Sequence, residues 1–169
     1  HTEKDISRPK VESAAEKISA MNNACTVETY HLRLDEGNAS SIISKYDFII
    51  DALDNFPSKL LAADTSWALG KAHSFGGIFE FQGQSMTILP KARPCLRCLF
   101  KRFPAEHKVI GPIGALPGII GSIQALEAIK YLAGLGVGLN GKLFHIDTLG
   151  MNSGKINISP AEDCPVCGN

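Results

Sequence analysis

The chain has 169 residues, 44% hydrophobic and 20% charged, with 17 basic and 17 acidic side chains and a formal net charge of zero. That length suffices for one domain with a sizeable core, and the balanced charge gives no electrostatic case for nucleic acid or an acidic membrane surface as a partner. The longest apolar stretch, Val109 to Ile123, is broken by Gly and Pro and is too short to span a bilayer, and no signal-peptide pattern precedes the first element.

Pro9 to Met21 reads as a helix, with Val11, Ala14, Ala15, Ile18 and Met21 on the helical period and Asn22-Asn23 as its stop. Thr26 to Leu34 is β-rich, and the alternation of Tyr30, Leu32 and Leu34 predicts a strand. Asp35 to Asn38 is a turn and Ala39 to Lys45 a short helix. Tyr46 to Leu53 carries the continuous apolar run Phe48-Ile49-Ile50, the mark of a buried parallel strand. Phe56 to Leu69 follows as a helix. This alternation argues for a doubly wound parallel sheet. Ala72 to Phe75 and Ile78 to Leu89, the latter interrupted by Gly83, are strands with no helix between them, so the sheet turns antiparallel there. Leu99 to Leu116 reads as a loop and Pro117 to Ala133 as a long helix, with Ile119, Ile123, Leu126, Ile129 and Ala133 on its apolar side. Lys142 to Asp147 and Lys155 to Ile158 complete a hairpin across Thr148 to Gly154. The fold class is therefore α/β: a Rossmann-like doubly wound mixed sheet, parallel in the N-terminal part and antiparallel in the C-terminal part.

Two Cys-x-x-Cys pairs, Cys95/Cys98 and Cys164/Cys167, carry the clearest chemistry. Four thiolates in two such pairs predict a tetrahedral, structural Zn²⁺ site, with two redox dithiols or two disulfides as the alternatives. A compact zinc ribbon separates its pairs by roughly 15–20 residues; here the separation is far larger, so the metal would staple the C-terminus onto the middle of the chain. Four protein ligands leave no open position for catalysis. Cysteines kept reduced for a metal suit the cytosol. The fifth, Cys25, is expected buried or half-buried at a strand edge.

Asp51-Ala52-Leu53-Asp54-Asn55 lies where a buried parallel strand ends and a helix begins, the place where open α/β sheets bind ligands. The first N–H groups of that helix favour anions. Asp54 could hold a Mg²⁺ that bridges a polyphosphate; equally, Asp54 or Asn55 could be no more than the helix N-cap. Gly111 to Gly118 matches neither the P-loop nor G-x-G-x-x-G and reads as small residues that let the following helix lie close to the sheet. His107 and Lys108 read as solvated loop residues, and Arg97, Lys101 and Arg102 as a solvated basic patch.

Four segments in this order, Arg8-Pro9-Lys10-Val11-Glu12-Ser13-Ala14, Asp51 to Asn55, Cys95 to Cys98, and Gly121-Ser122-Ile123-Gln124-Ala125-Leu126-Glu127-Ala128-Ile129-Lys130, with Cys164 to Cys167 closing the chain, resemble the ThiF/MoeB/HesA-type adenylyltransferases that activate ubiquitin-like sulfur carriers. The resemblance covers essentially the whole chain. It implies a single, partial adenylation domain over residues 1–169, with a crossover loop at about 99–116 under which the carrier's tail is threaded. It implies ATP-dependent adenylation of the C-terminal glycine of a Gly-Gly-ended sulfur-carrier protein, in a cytoplasmic homodimer. Lys10 would contact the ATP phosphates, Asp54 would position Mg²⁺ and ATP with Asn55 beside it, and Cys95, Cys98, Cys164 and Cys167 would hold structural zinc. The other reading is a non-catalytic, zinc-stabilised scaffold that binds a ubiquitin-like protein.

Three departures qualify the resemblance. The family's Gly-rich nucleotide loop, ribose-binding acid and an arginine-bearing segment have no counterpart here, so this polypeptide alone is expected to be inactive and to need a companion to cover an open sheet edge. The loop position that carries a reactive cysteine in some members falls at His107, which favours adenylation without a thioester. An arginine that often follows the Asp-Asn pair is Lys59 here; lysine keeps the charge but lacks the planar fork.

Overall fold

The structure, a computed structural model, describes residues 1–101, 111 and 113–168. His107, Lys108 and Arg102 and most of the expected crossover loop lie outside the described residues. The chain divides into two compact units, His1–Leu34 and Asp35–Asn169, each taken by itself below.

The first unit holds a 3₁₀ turn, Glu3–Asp5, and helix α1, Lys10–Met21. Pro9 directly precedes α1 with φ −56°, a value already suited to helix entry. The Asp5 carboxylate ties the turn to the helix, accepting from the Thr2 backbone N–H at 2.6 Å and from Lys17 Nζ at 2.7 Å. The strand expected over Thr26–Leu34 does not form: the segment is irregular and enters no ladder. Alternation marks a strand only where a neighbouring strand supplies hydrogen bonds and one face is covered, and Leu32 is 51% exposed. Cys25 accordingly sits exposed and free, not buried at a strand edge.

The second unit is a five-stranded sheet in the order β1-β2-β3-β4-β5. After the short helix α2, Ala39–Ile43, come β1 Phe48–Ile50, α3 Phe56–Ala68, β2 Ala72–Phe79, β3 Gln82–Ile88, α4 Leu96–Leu99, α5 Ala115–Leu132, β4 Lys142–Asp147 and β5 Asn152–Asn157. β1 and β2 are parallel, joined by α3 as the crossover, and every later pairing is antiparallel. The mixed sheet foreseen from the sequence is therefore the observed one. β2 and β3 meet in a two-residue turn, with Phe79 opposite Gln82 and Glu80 at φ 51°. Gly83 does not interrupt β3 but is paired within it, opposite Ile78 and Ile146.

Register sorts the sheet into two faces. Directly opposed residues share a face, so Phe75 with Met86 lies on one side, and Ser74 with Thr87 and Gly76 with Ser85 on the other. The first face is apolar and takes Leu60 and Ala63 of α3, together with Ile88, Leu96 and Leu143, as the main core. The second is small and polar and takes α5. A Cβ on Gly76 would stand 2.7 Å from Gln124 Oε1, and one on Gly83 the same distance from Ile120 Cδ1, so these two glycines admit the helix. The small residues before and within α5 have no such role: a Cβ on Gly111, Gly114, Gly118 or Gly121 would meet nothing within 4 Å, which corrects the packing role expected for that run.

α5 also reverses its expected orientation. Its buried side is Leu116, Ile120, Gln124, Glu127 and Ala128, while Ile119, Leu126, Ile129 and Leu132 are 39%, 57%, 61% and 62% exposed. The apolar stripe was periodic, but the sheet face below α5 carries hydroxyls and glycines, so polar Gln124 and Glu127 turn inward. No helix among the described residues is long and apolar enough to cross a membrane.

Candidate functional site

The cysteine motifs converge as their spacing predicts. Cys95 is the N-cap residue of α4, and its carbonyl accepts from the Cys98 N–H at 3.1 Å, bringing both thiols of the first pair to one side. At the C-terminus the Cys164 carbonyl accepts from Gly168 N–H at 2.9 Å. All four Sγ atoms are buried and lie within 4.8 Å of one another. The shortest approaches cross between the motifs, Cys95 to Cys164 at 3.5 Å and Cys98 to Cys167 at 3.4 Å. These are far beyond a disulfide bond of about 2.05 Å and bracket, with 4.8 Å, the edge of about 3.8 Å that a tetrahedral ion imposes through bonds of about 2.3 Å. The donor set fits one metal ion. Burial and the Cys167 and Cys164 thiols push the Cys95 thiol well up. Cys164 is also pushed up by burial, but the Cys167 and Val166 backbone N–H groups together with the Cys95 and Cys167 thiols bring it down to about 7.

This knuckle is fastened to α3. Arg97 reaches Asp64 Oδ2 through Nε at 3.0 Å and Nη2 at 2.8 Å, so it is an ion-pair partner and not part of a free basic patch. Trp67 donates Nε1–H to the Ala92 carbonyl at 3.0 Å and packs against both the main core and the cysteine cluster. Lys91 caps the indole, its Nζ 4.5 Å from the ring centroid.

At the other end of α3 stands the carboxyl end of β1. Asn55 is the N-cap, its Oδ1 accepting from Ser58 N–H at 3.0 Å. Asp54 takes no part in the cap; it is exposed, and its Oδ1 accepts from Asn55 Nδ2 at 3.2 Å. Because Pro57 has no N–H and Ser58 is capped, Phe56 is the first-turn donor left for an anion. Lys10, the other predicted ATP contact, is exposed at the first position of α1 in the other unit.

Behind Asp54 lies a buried polar corner that sequence reading underrated. Asp51 is 2% exposed. Lys59 Nζ donates to both of its carboxylate oxygens at 3.2 Å and to the Gly76 carbonyl at 2.6 Å. Burial pushes the Asp51 carboxyl up and the Lys59 ammonium down, and the attraction between them opposes both shifts. From α5, Gln124 Nε2 donates to the carbonyls of Asp51 and Ser74, both at 2.9 Å. Lys59, which stands where an arginine often follows the Asp-Asn pair, faces inward. A signal for Gln124 existed: it stands four residues after Ile120 and eight after Leu116, on their face of the helix. His73, also buried on β2, contacts Ser66 Oγ at 3.4 Å; burial first and the Lys59 charge second pull it down to about 3.

The ThiF family profile matches residues 1–166. The chain belongs to the ThiF family. It is 37% identical over 179 residues to the sulfur carrier protein adenylyltransferase of Thermus thermophilus, covering 100% of this chain and 66% of that one. It is 37% identical over 173 residues to the SAMP-activating enzyme E1 of Haloferax volcanii, covering 99% and 64%. The adenylyltransferase and sulfurtransferase MOCS3 of Arabidopsis thaliana is 35% identical, over 100% of this chain and 38% of its own length. The chain thus spans two-thirds or less of these relatives. Among solved structures, E. coli MccB superposes with a TM-score of 0.82 at 14% identity, covering 100% of this chain and 53% of MccB; the MccB structure with ATP gives 0.79 at 15%, covering 100% and 54%. At that identity the likeness is one of fold.

Proposed function

We propose that the protein adenylates the C-terminal glycine of a Gly-Gly-ended, ubiquitin-like sulfur-carrier protein. One observation carries this reading: identity of 37% to a sulfur carrier protein adenylyltransferase runs through the whole chain, and at the strand end where such folds bind nucleotides the Asp54 carboxylate stands exposed, outside the helix cap. In the reaction a carboxylate oxygen attacks the α-phosphorus of ATP, the bond to the β-phosphate oxygen breaks, and pyrophosphate leaves. Asp54 would hold Mg²⁺, which supplies charge compensation for the phosphates when bound. Asn55 fixes the entry of α3 beside it, and Lys10 offsets phosphate charge. Cys95, Cys98, Cys164 and Cys167 would hold zinc as a structural ion. A cytoplasmic setting follows from thiols that must stay reduced.

The test is ATP–pyrophosphate exchange by the full-length protein with a Gly-Gly-ended carrier. Exchange that depends on the carrier and is abolished in Asp54→Ala, with the fold retained, is the expected result. Carrier binding without exchange would instead support a zinc-stabilised scaffold. We also propose a homodimer, supported by the exposed Ile119, Leu126, Ile129 and Leu132 on α5; a monomer in sedimentation at micromolar concentration would contradict it.

A further inference from the structure

The polar corner behind Asp54 has more anchoring than the packing of one strand end requires. Every polar atom of Asp51 has a hydrogen-bond partner. Its N–H donates to the Ser74 carbonyl at 2.9 Å. Its carbonyl accepts from Gln124 of α5 at 2.9 Å. Its Oδ1 accepts from the Leu53 N–H at 2.8 Å, closing a turn over Ala52, and both carboxylate oxygens accept from Lys59 of α3. Asn55 is held by its cap bond at the start of α3. Asp54 therefore sits in a short span between two fixed residues. The two side chains that reach Asp51 come from helices on opposite faces of the sheet and meet at Gly76: Lys59 donates to its carbonyl, and the Gln124 amide oxygen stands 2.7 Å from where a Cβ would be.

We propose that Lys59 and Gln124 are positioning residues that clamp Asp51 from the two faces of the sheet and thereby set where the Asp54 carboxylate meets a magnesium-bound polyphosphate. Neither touches the nucleotide. The inference rests on the proposed function only in taking Asp54 as the metal-holding residue. The physical logic is that of an outer-shell partner: a carboxylate on a loop reaches a hard cation with the right geometry only if the loop's own conformers are few, and mutation of such partners costs roughly 10–100-fold in metal affinity.

The experiment uses the full-length protein and reads binding, not turnover. Titration calorimetry measures the dissociation constant of magnesium with a non-hydrolysable ATP analogue, and in parallel that of the carrier protein, for Lys59→Met, Lys59→Arg, Gln124→Leu and Asp54→Ala. Thermal melts report the fold. Lys59→Met and Gln124→Leu are expected to weaken the magnesium–nucleotide complex by roughly 10–100-fold and leave carrier affinity within about twofold. Lys59→Arg, which keeps the charge, is expected to recover most of the loss. Gln124→Leu leaves no charge unpaired, so it decides the matter should Lys59→Met fail to fold. Melts lowered with nucleotide affinity unchanged would mean that the clamp is only structural and would overturn the proposal. If Asp54→Ala itself bound magnesium–nucleotide normally, the underlying reading of Asp54 would fail; if only Asp54→Ala were impaired, that reading would stand and the clamp would fall.

Discussion

The cysteine knuckle and the Asp51 corner are both buried polar clusters at opposite ends of α3, yet they balance their charge in opposite ways. The knuckle gathers four like groups whose deprotonated forms repel, an arrangement that could hold a metal ion supplied from outside. The corner holds its own counter-charge: Lys59 sits against Asp51, and the Gly76 carbonyl and Gln124 amide satisfy the remaining atoms. With a metal bound, the first cluster would draw stability from its ligand; the second is self-contained and can serve as a fixed support for whatever binds beside it.

The largest effect should come from breaking the knuckle. Cys98→Ser, or removal of the metal with a chelator, is expected to cost about 4 kcal/mol or more, a fall of roughly 8–16 °C in Tm for a chain of this size. The single tryptophan, Trp67, packs against the cluster, so its emission should shift in step with metal loss, which metal analysis would follow. A chelated protein with an unchanged melt and unchanged emission would erase the contrast between ligand-dependent and self-contained clusters.

A smaller effect tests the corner through its neighbour His73. The folded protein holds this imidazole neutral down to about pH 3, whereas the unfolded chain takes up its proton near the ordinary histidine value of 6.5. Between those values the unfolded state binds more protons, so stability is lost as pH falls from about 6.5 towards 3 and is fully present above 6.5. Over the first pH unit below 6.5 the loss is about 1 kcal/mol. Urea titrations of the native protein and His73→Phe across this range should show a shallower dependence in the variant. Parallel curves would mean that His73 is protonated while folded, which the nearby Lys59 charge opposes.

The two clusters also differ in how far they could be read from sequence. The knuckle was legible because few residue types bind soft metals and Cys-x-x-Cys leaves little ambiguity about which atoms converge. Phe48 to Ile50 was legible as a parallel strand but not as the buried one its apolar run predicts: it lies at the edge of the sheet, and Ile50 is 47% exposed. The Thr26–Leu34 alternation was misleading because no ladder partner joins it, and the period of α5 was right while its inward side was not. That side is decided by Ser74, Gly76, Ser85 and Thr87 on strands far away in sequence. For the same reason the corner was half-hidden: Gly76 and Gln124 are distant in the chain from Asp51 and Lys59, and Lys59 is indistinguishable from a surface lysine until the pairing of β1 with β2 brings Gly76 beside it.

The smallest expected effect sharpens the question of whether the two ends of α3 communicate at all. Arg97 grips one oxygen of Asp64 through two nitrogens, but both side chains are more than a quarter exposed, so the pair should contribute about 1 kcal/mol or less. A double-mutant cycle of Arg97→Ala and Asp64→Ala isolates that coupling from the loss of each side chain. The informative version repeats the cycle with the metal bound and with it chelated. If the ion orders α4, the coupling should be measurable with metal and vanish without it, because Arg97 lies between the ligands Cys95 and Cys98 and loses its fixed direction when they do. Equal coupling in both states would show that α4 keeps its form without the ion, and that the knuckle, like the corner, is organised by the chain's own contacts.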